Sequence, residues 1–184
     1  MAGPLVGFYV GWKLVGLAAG IASGTAVAVI LFAWERRRGR SGLGASLGLG
    51  MAFVQALVGF LSGTAIGYLA PPVIGNGVYG LVFLASVAVR RPLAGVFAVE
   101  TYPFPPELRA SPLFRRVFSI VSLAWGLTFL ARCALRLVVL LRGDVDAFIV
   151  VNLATGLPLN AALMVWSFWY PLRRFRRALA PATA

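Results

Sequence analysis

Lys13, Arg132 and Arg136 each interrupt a long apolar run, and among the residues of this chain they have the clearest chemistry to offer. Arg132 and Arg136 are four apart, so on a helix they share a face, and Trp125 lies seven residues before Arg132 on nearly the same stripe. At the helical rise, Arg136 lies ~9 Å and Arg132 ~15 Å from the end of its run at Arg142, while Lys13 lies ~12 Å from Leu5. All three therefore occupy similar depths. A cation held in hydrocarbon costs roughly 2.5–3.5 kcal/mol on insertion scales. No carboxylate lies inside an apolar run to offset that; Asp144 and Asp146, at the mouth of one run, are the acids nearby. Three chemistries fit. The side chains can snorkel toward headgroups and toward Asp144 and Asp146. They can line a pocket for an anion, a lipid phosphate above all. Or a partner subunit can bring the missing carboxylate.

Other chemistry is sparse. The chain has no histidine, which removes the commonest metal ligand and general base, and neither a metal site nor a cofactor is expected. Its one cysteine, Cys133, sits in an apolar segment and reads as helix packing. Glu35, Glu100 and Glu107 are too scattered to read as a catalytic site, so an enzyme is not expected. The net charge of +12 does not point to nucleic acid, because no polar face remains on which to array the arginines.

The elements that must position these residues follow from composition. Of 184 residues, 60% are hydrophobic and 12% charged, against roughly a quarter charged in a soluble domain. The charges cluster between apolar runs of about 20 residues or more, the length that crosses a ~30 Å hydrocarbon core. The reading is an all-α, polytopic membrane protein: one transmembrane domain, a bundle of about five helices plus a short interfacial helix. The spans are placed at residues 5–34, 43–69, 73–89, 114–141 and 147–172, with an interfacial segment at 92–112. The first stretch is either one tilted span or a re-entrant segment followed by a span; it lacks a basic leader and is expected to stay attached.

Threading five spans alternately places thirteen of the 17 basic residues on one side and only Arg142 in a loop on the other. That one-sidedness sets the arginine-rich side, and with it the C-terminus, in the cytoplasm and the N-terminus outside. Arg173, Arg174, Arg176 and Arg177 then form a tail suited to anionic lipid. Aromatics at run ends, including Trp12 and Trp169, read as interface belts. Glycines at four-residue spacing, Gly3-Gly7-Gly11, Gly16-Gly20-Gly24 and Gly59-Gly63-Gly67 among them, predict close helix approach, within the bundle or in a homo-oligomer. Pro158 predicts a kink near Thr155. Gln55, Asn76, Asn152 and Asn160 are candidates to link helices or to join the cation site.

The order and spacing of several short motifs resemble the intracellular septation protein A family of small bacterial inner-membrane proteins. They are Pro4-Leu5-Val6 through Trp12-Lys13, the basic cluster after Trp34, Val78-Tyr79, Arg91-Pro92-Leu93, Leu123-Ala124-Trp125, and Val151-Asn152 with Gly156. The glycine-rich second span and the Arg132, Arg136 pair depart from that pattern. The resemblance implies a non-catalytic role in the inner membrane and cell envelope, supporting septation or membrane homeostasis. Its expected partners are membrane lipids, anionic lipid included, and division or envelope proteins. The alternative is a small transporter or lipid-handling protein using Lys13, Arg132 and Arg136.

Overall fold

A computed structural model describes residues 3–38 and 43–179, with the side chains of 43–45, 47 and 177–179 outside the described set. The protein is an all-α polytopic membrane protein. The described residues form α1 (Gly3–Leu14), α2 (Leu17–Arg37), α3 (Leu43–Ser62), α4 (Ala65–Ala88), α5 (Leu93–Thr101), α6 (Pro106–Ala110), α7 (Pro112–Leu141) and α8 (Val145–Leu179), with no strand among them. Four helices are long and apolar enough to cross a membrane by length and composition: Leu17–Arg37, Ala65–Ala88, Pro112–Leu141 and Val145–Arg176. The 20 residues of α3 also reach ~30 Å, whereas the 12 of α1 reach only ~18 Å.

The first apolar stretch, read as one tilted span over 5–34 or as a re-entrant segment followed by a span, is a helical hairpin, not one continuous helix. The chain turns at Val15-Gly16, where Gly16 takes φ 117°, a conformation that glycine adopts without steric cost. The arms then pack so closely that a Cβ on Gly20 would lie 2.9 Å from the Phe8 carbonyl oxygen and 2.8 Å from Trp12 Cβ. Here the small-residue spacing serves contact within the chain, α1 against α2. Ser23 locks the register by donating to the Gly7 carbonyl at 2.7 Å. A Gly20→Val substitution forces backbone apart rather than a flexible side chain, so it should destabilise the protein by about 2 kcal/mol. Thermal unfolding of the detergent-solubilised protein checks this; an unchanged midpoint would mean that the hairpin is not packed as described.

The boundary expected at Pro71-Pro72 lies earlier. The chain breaks at Gly63, φ 63°, and Thr64 Oγ1 accepts the Gly67 N–H at 3.0 Å, capping α4. Pro71 and Pro72 fall inside α4. They lie past the first turn of the helix, and in a membrane helix neighbouring groups can take up the carbonyls that their missing N–H groups leave free. The interfacial segment 92–112 forms two short helices rather than one, and α8 runs past residue 172 to carry the basic tail in helical form. That helix continues through Pro158 and Pro171.

The chain sorts into two compact units, Met1–Gly75 with Leu135–Leu153, and Asn76–Ala134 with Ala154–Ala184. In the first unit, Phe8 and Tyr68 stack with ring centroids 4.0 Å apart, and Leu69 and Val73 are buried with them. In the second, Phe114, Val117, Phe118 and Phe175 form a buried core, and Phe104 meets Phe114 edge-on at 5.4 Å. Two buried serines fasten α5 to its neighbours. Ser86 Oγ of α4 accepts the Leu93 N–H at 3.1 Å, and Ser122 Oγ of α7 accepts the Ala94 N–H at 3.0 Å. Those amides are helix-start donors that would otherwise lack acceptors.

Candidate functional site

The three cations read from the sequence as intramembrane meet different surroundings. Lys13, at the end of α1, donates from Nζ to Asp146 Oδ2 at 2.9 Å, and the Tyr9 hydroxyl donates to Asp146 Oδ1 at 2.8 Å. Lys13 and Asp146 are each about half exposed, and Nζ also lies 5.4 Å from the Trp12 ring centroid. The countercharge for Lys13 is thus supplied within the chain. Asp146 suits that role, because it sits in the first turn of α8 where the helix dipole favours an anion. Its neighbour Asp144 is used locally: Oδ1 accepts the Ala147 N–H at 2.8 Å and caps the helix.

Arg132 and Arg136 are buried, at 6% and 4% exposure, which removes the snorkelling reading for both. In the second unit, Arg132 Nη1 donates to Asn160 Oδ1 at 2.7 Å, while its buried Nε has no hydrogen-bond partner among the described residues. In the first unit, Arg136 Nη2 makes a long 3.4 Å bond to the Asn152 carbonyl. Lys13 and Arg136 belong to the first unit and Arg132 to the second. Of the uncharged polar candidates, Asn160 joins the Arg132 site through its side chain and Asn152 meets Arg136 through its backbone. Trp125 Nε1 turns instead to Ser167 Oγ at 2.9 Å and ties α7 to α8.

A concave feature lies elsewhere in the second unit. A groove of about 500 Å³, open to one side, is lined by Arg90, Arg91, Arg109 and Arg115, by Glu100, and by an apolar floor of Pro92, Gly95, Val96, Val99 and Phe114. Local structure explains why these residues meet. α4 ends at Arg90, whose N–H bonds to the Val87 carbonyl while the Arg91 N–H bonds to that of Ser86 at 2.9 Å. This is the αL helix stop usually completed by glycine, here with Arg90 at φ 60°. Pro92 then bars any helical continuation. Arg109 is aimed by its own Nε, which donates to the Phe104 carbonyl at 3.0 Å. Among the described residues none of these four arginines has a carboxylate within ion-pair distance; Lys13–Asp146 is the pair that forms.

Sequence reasoning read those arginines as an orientation signal only. What it missed is that the proline-rich segment after Arg91 folds back as α5 and α6 and brings Arg109 and Arg115 to the end of α4. In the tail, Arg173 lies over Trp169 at 4.9 Å and Arg174 over Tyr170 at 5.5 Å. The side chain of Arg177 and the whole of Arg40 lie outside the described residues. Among the described residues no group of three or more histidines, cysteines or acids could hold a metal ion.

Residues 2–178 match a protein family described as "Protein of unknown function (DUF3159)". The chain belongs to that family. The DUF3159 match carries no link to the intracellular septation protein A family. No curated protein matches the chain, and no solved structure matches it.

Proposed function

We propose that the protein is a non-catalytic, multi-pass protein of the bacterial plasma membrane that acts in the cell envelope by binding anionic lipid and envelope partners. In this reading its C-terminus is cytoplasmic, and septation or membrane homeostasis is the process it supports. One observation carries the reading. The second unit contains the end of α4, both short helices, the start of α7 and the end of α8, and with them Arg90, Arg91, Arg109, Arg115, Arg116, Arg173, Arg174 and Arg176. Those are the segments that the positive-inside rule assigns to one side. The first unit holds the Gly63 and Gly143 turns and also the arginine cluster at the end of α2, Arg36, Arg37 and Arg38, which the same rule assigns to the arginine-rich side. The α1–α2 hairpin changes the expected threading at one point only. α2 makes the first crossing, and the described start of the chain, Gly3, packs beside Val27 and Leu31 rather than at the Gly16 turn.

Reporter fusions test the arrangement. Those at Glu107 and at the C-terminus should report cytoplasmic, and those at Gly63 and Gly143 external. An external C-terminal reporter would sink the proposal. The tail tests the lipid part separately: each basic residue near an anionic surface contributes ~1 kcal/mol of attraction. Replacing Arg173, Arg174, Arg176 and Arg177 with glutamine should therefore lower the phosphatidylglycerol retained on purification.

The second reading is a small transporter or lipid-handling protein with an anion site at an intramembrane cation. The buried Arg132 guanidinium, with Nε lacking a partner among the described residues, favours it. An intramembrane charge of that kind marks a ligand path more often than a packing contact.

A further inference from the structure

We infer that the arginine groove at the end of α4 binds the headgroup of a phosphate-bearing amphiphile with more than one negative charge, a phosphomonoester or a pyrophosphate. Four guanidiniums against the single carboxylate of Glu100 leave the groove at +3. Among the described residues no carboxylate lies within ion-pair distance of those guanidiniums, so the groove offers them to an external anion. A phosphodiester carries one negative charge and leaves most of that field unanswered. A phosphomonoester carries about −1.5 to −2 at neutral pH and offers three acceptor oxygens, which suit the paired N–H groups of arginine.

The exposed arginines stand on a defined backbone frame. Arg90 holds φ 60°, where an L-residue is strained by about 1–2 kcal/mol and glycine is not. A side chain retained in a conformation that disfavours it is a reason to look for function at that position. The frame is also rigid. Ser86 and Ser122 fasten the start of α5, and Gly95 lets that helix close on Phe118. Arg109 spends Nε on the Phe104 carbonyl, which orients its guanidinium plane and leaves the terminal nitrogens to a ligand. The floor explains why the ligand is an amphiphile. Val96, Val99 and Phe114 give the groove an apolar bed beneath the charges, with Val96 46% exposed at its open side. Arg90 and Arg91 also stand where an apolar helix ends, the depth of a lipid headgroup.

This inference rests on the membrane reading above only for the source of the ligand. Full-length protein in neutral detergent is titrated with dioctanoyl phosphatidic acid, dioctanoyl phosphatidylglycerol and inorganic pyrophosphate, and binding is read by native mass spectrometry. Phosphatidic acid should bind about tenfold more tightly than phosphatidylglycerol, the worth of one added charge-assisted hydrogen bond. Replacing Arg91 and Arg115 together with glutamine should abolish that preference and leave phosphatidylglycerol binding within about threefold. An Arg90→Gly variant should weaken phosphatidic acid binding while its melting temperature holds or rises, so the loss cannot be ascribed to unfolding. Pyrophosphate should compete; if it binds as tightly as phosphatidic acid, the ligand is a soluble phosphate, and if more weakly, a lipid. Equal binding of the two lipids, or unchanged phosphatidic acid binding in both variants, overturns the inference. The tail variant separates this from the broader proposal, because losing Arg173, Arg174 and Arg176 should weaken both lipids alike. If it weakens neither, the lipid part of the broader proposal fails and the groove stands.

Discussion

Truncating Phe118 to alanine should destabilise the protein by about 3–5 kcal/mol, the usual range for removing a buried aromatic ring. The ring is 4% exposed and lies within 4.5 Å of Phe114 and 6.2 Å of Phe175, centroid to centroid. It therefore joins the start of α7 to the end of α8, and Phe104 packs on the same cluster from the segment between α5 and α6. The loss should reach the groove. Gly95 of α5 faces the Phe118 Cβ, and Phe114, part of the groove floor, rests on the ring that is removed. Chemical denaturation in mild detergent reads the stability, and protease sensitivity within residues 93–111 reads the loosening. A variant as stable as the parent would show that the phenylalanine cluster does not hold this end together.

Leaving a buried charge without its acceptor should have the next largest effect. An Asn160→Leu substitution removes the Oδ1 that receives Arg132 Nη1 at 2.7 Å and strands a guanidinium that is 6% exposed. Breaking a buried polar pair from one side typically costs about 3 kcal/mol, because the remaining group loses its partner without regaining water. Replacing both residues with leucine removes the charge as well, and should restore stability to within about 1 kcal/mol of the parent or exceed it. The cycle of single and double variants isolates the coupling. Additive effects would mean that Arg132 is satisfied by water or by another group. If the double variant is stable but loses cellular function, Arg132 serves a ligand rather than the fold.

The helical, membrane-spanning character was legible because it depends on summed hydropathy, which needs no tertiary information. Boundaries were less so, for local reasons. In the 5–34 stretch a lone Lys13 precedes the turn but no proline marks it, and the reversal shows in the φ of Gly16 and the packing of the two arms. Pro71-Pro72 looked like a stop, yet the Ser62-Gly63-Thr64 turn supplies both the left-handed residue and the cap eight residues earlier. At the site, Arg132, Arg136 and Lys13 stood out because each interrupts an apolar run, but the depth of Lys13 counted from Leu5 does not carry over, because the chain reverses at Gly16. Their partners did not stand out, because Asp146 and Asn160 come from α8, and nothing in a linear reading pairs them with α1 or α7. The groove was invisible for a related reason. Its arginines are spread over residues 90–115, and proline-rich composition at 103–106 suggests a loop rather than a fold-back.

The bond between Lys13 and Asp146 joins residues 133 positions apart, the first described helix to the last. During synthesis the lysine is made early and its carboxylate arrives only with the final hydrophobic segment. Until then the hairpin carries a cation with no partner in the chain, and the nascent protein holds an unsatisfied charge for most of its assembly. Completion of the last helix is therefore what neutralises the first. A chain stalled or cut before residue 146 lacks the carboxylate that ties its first described helix to its last.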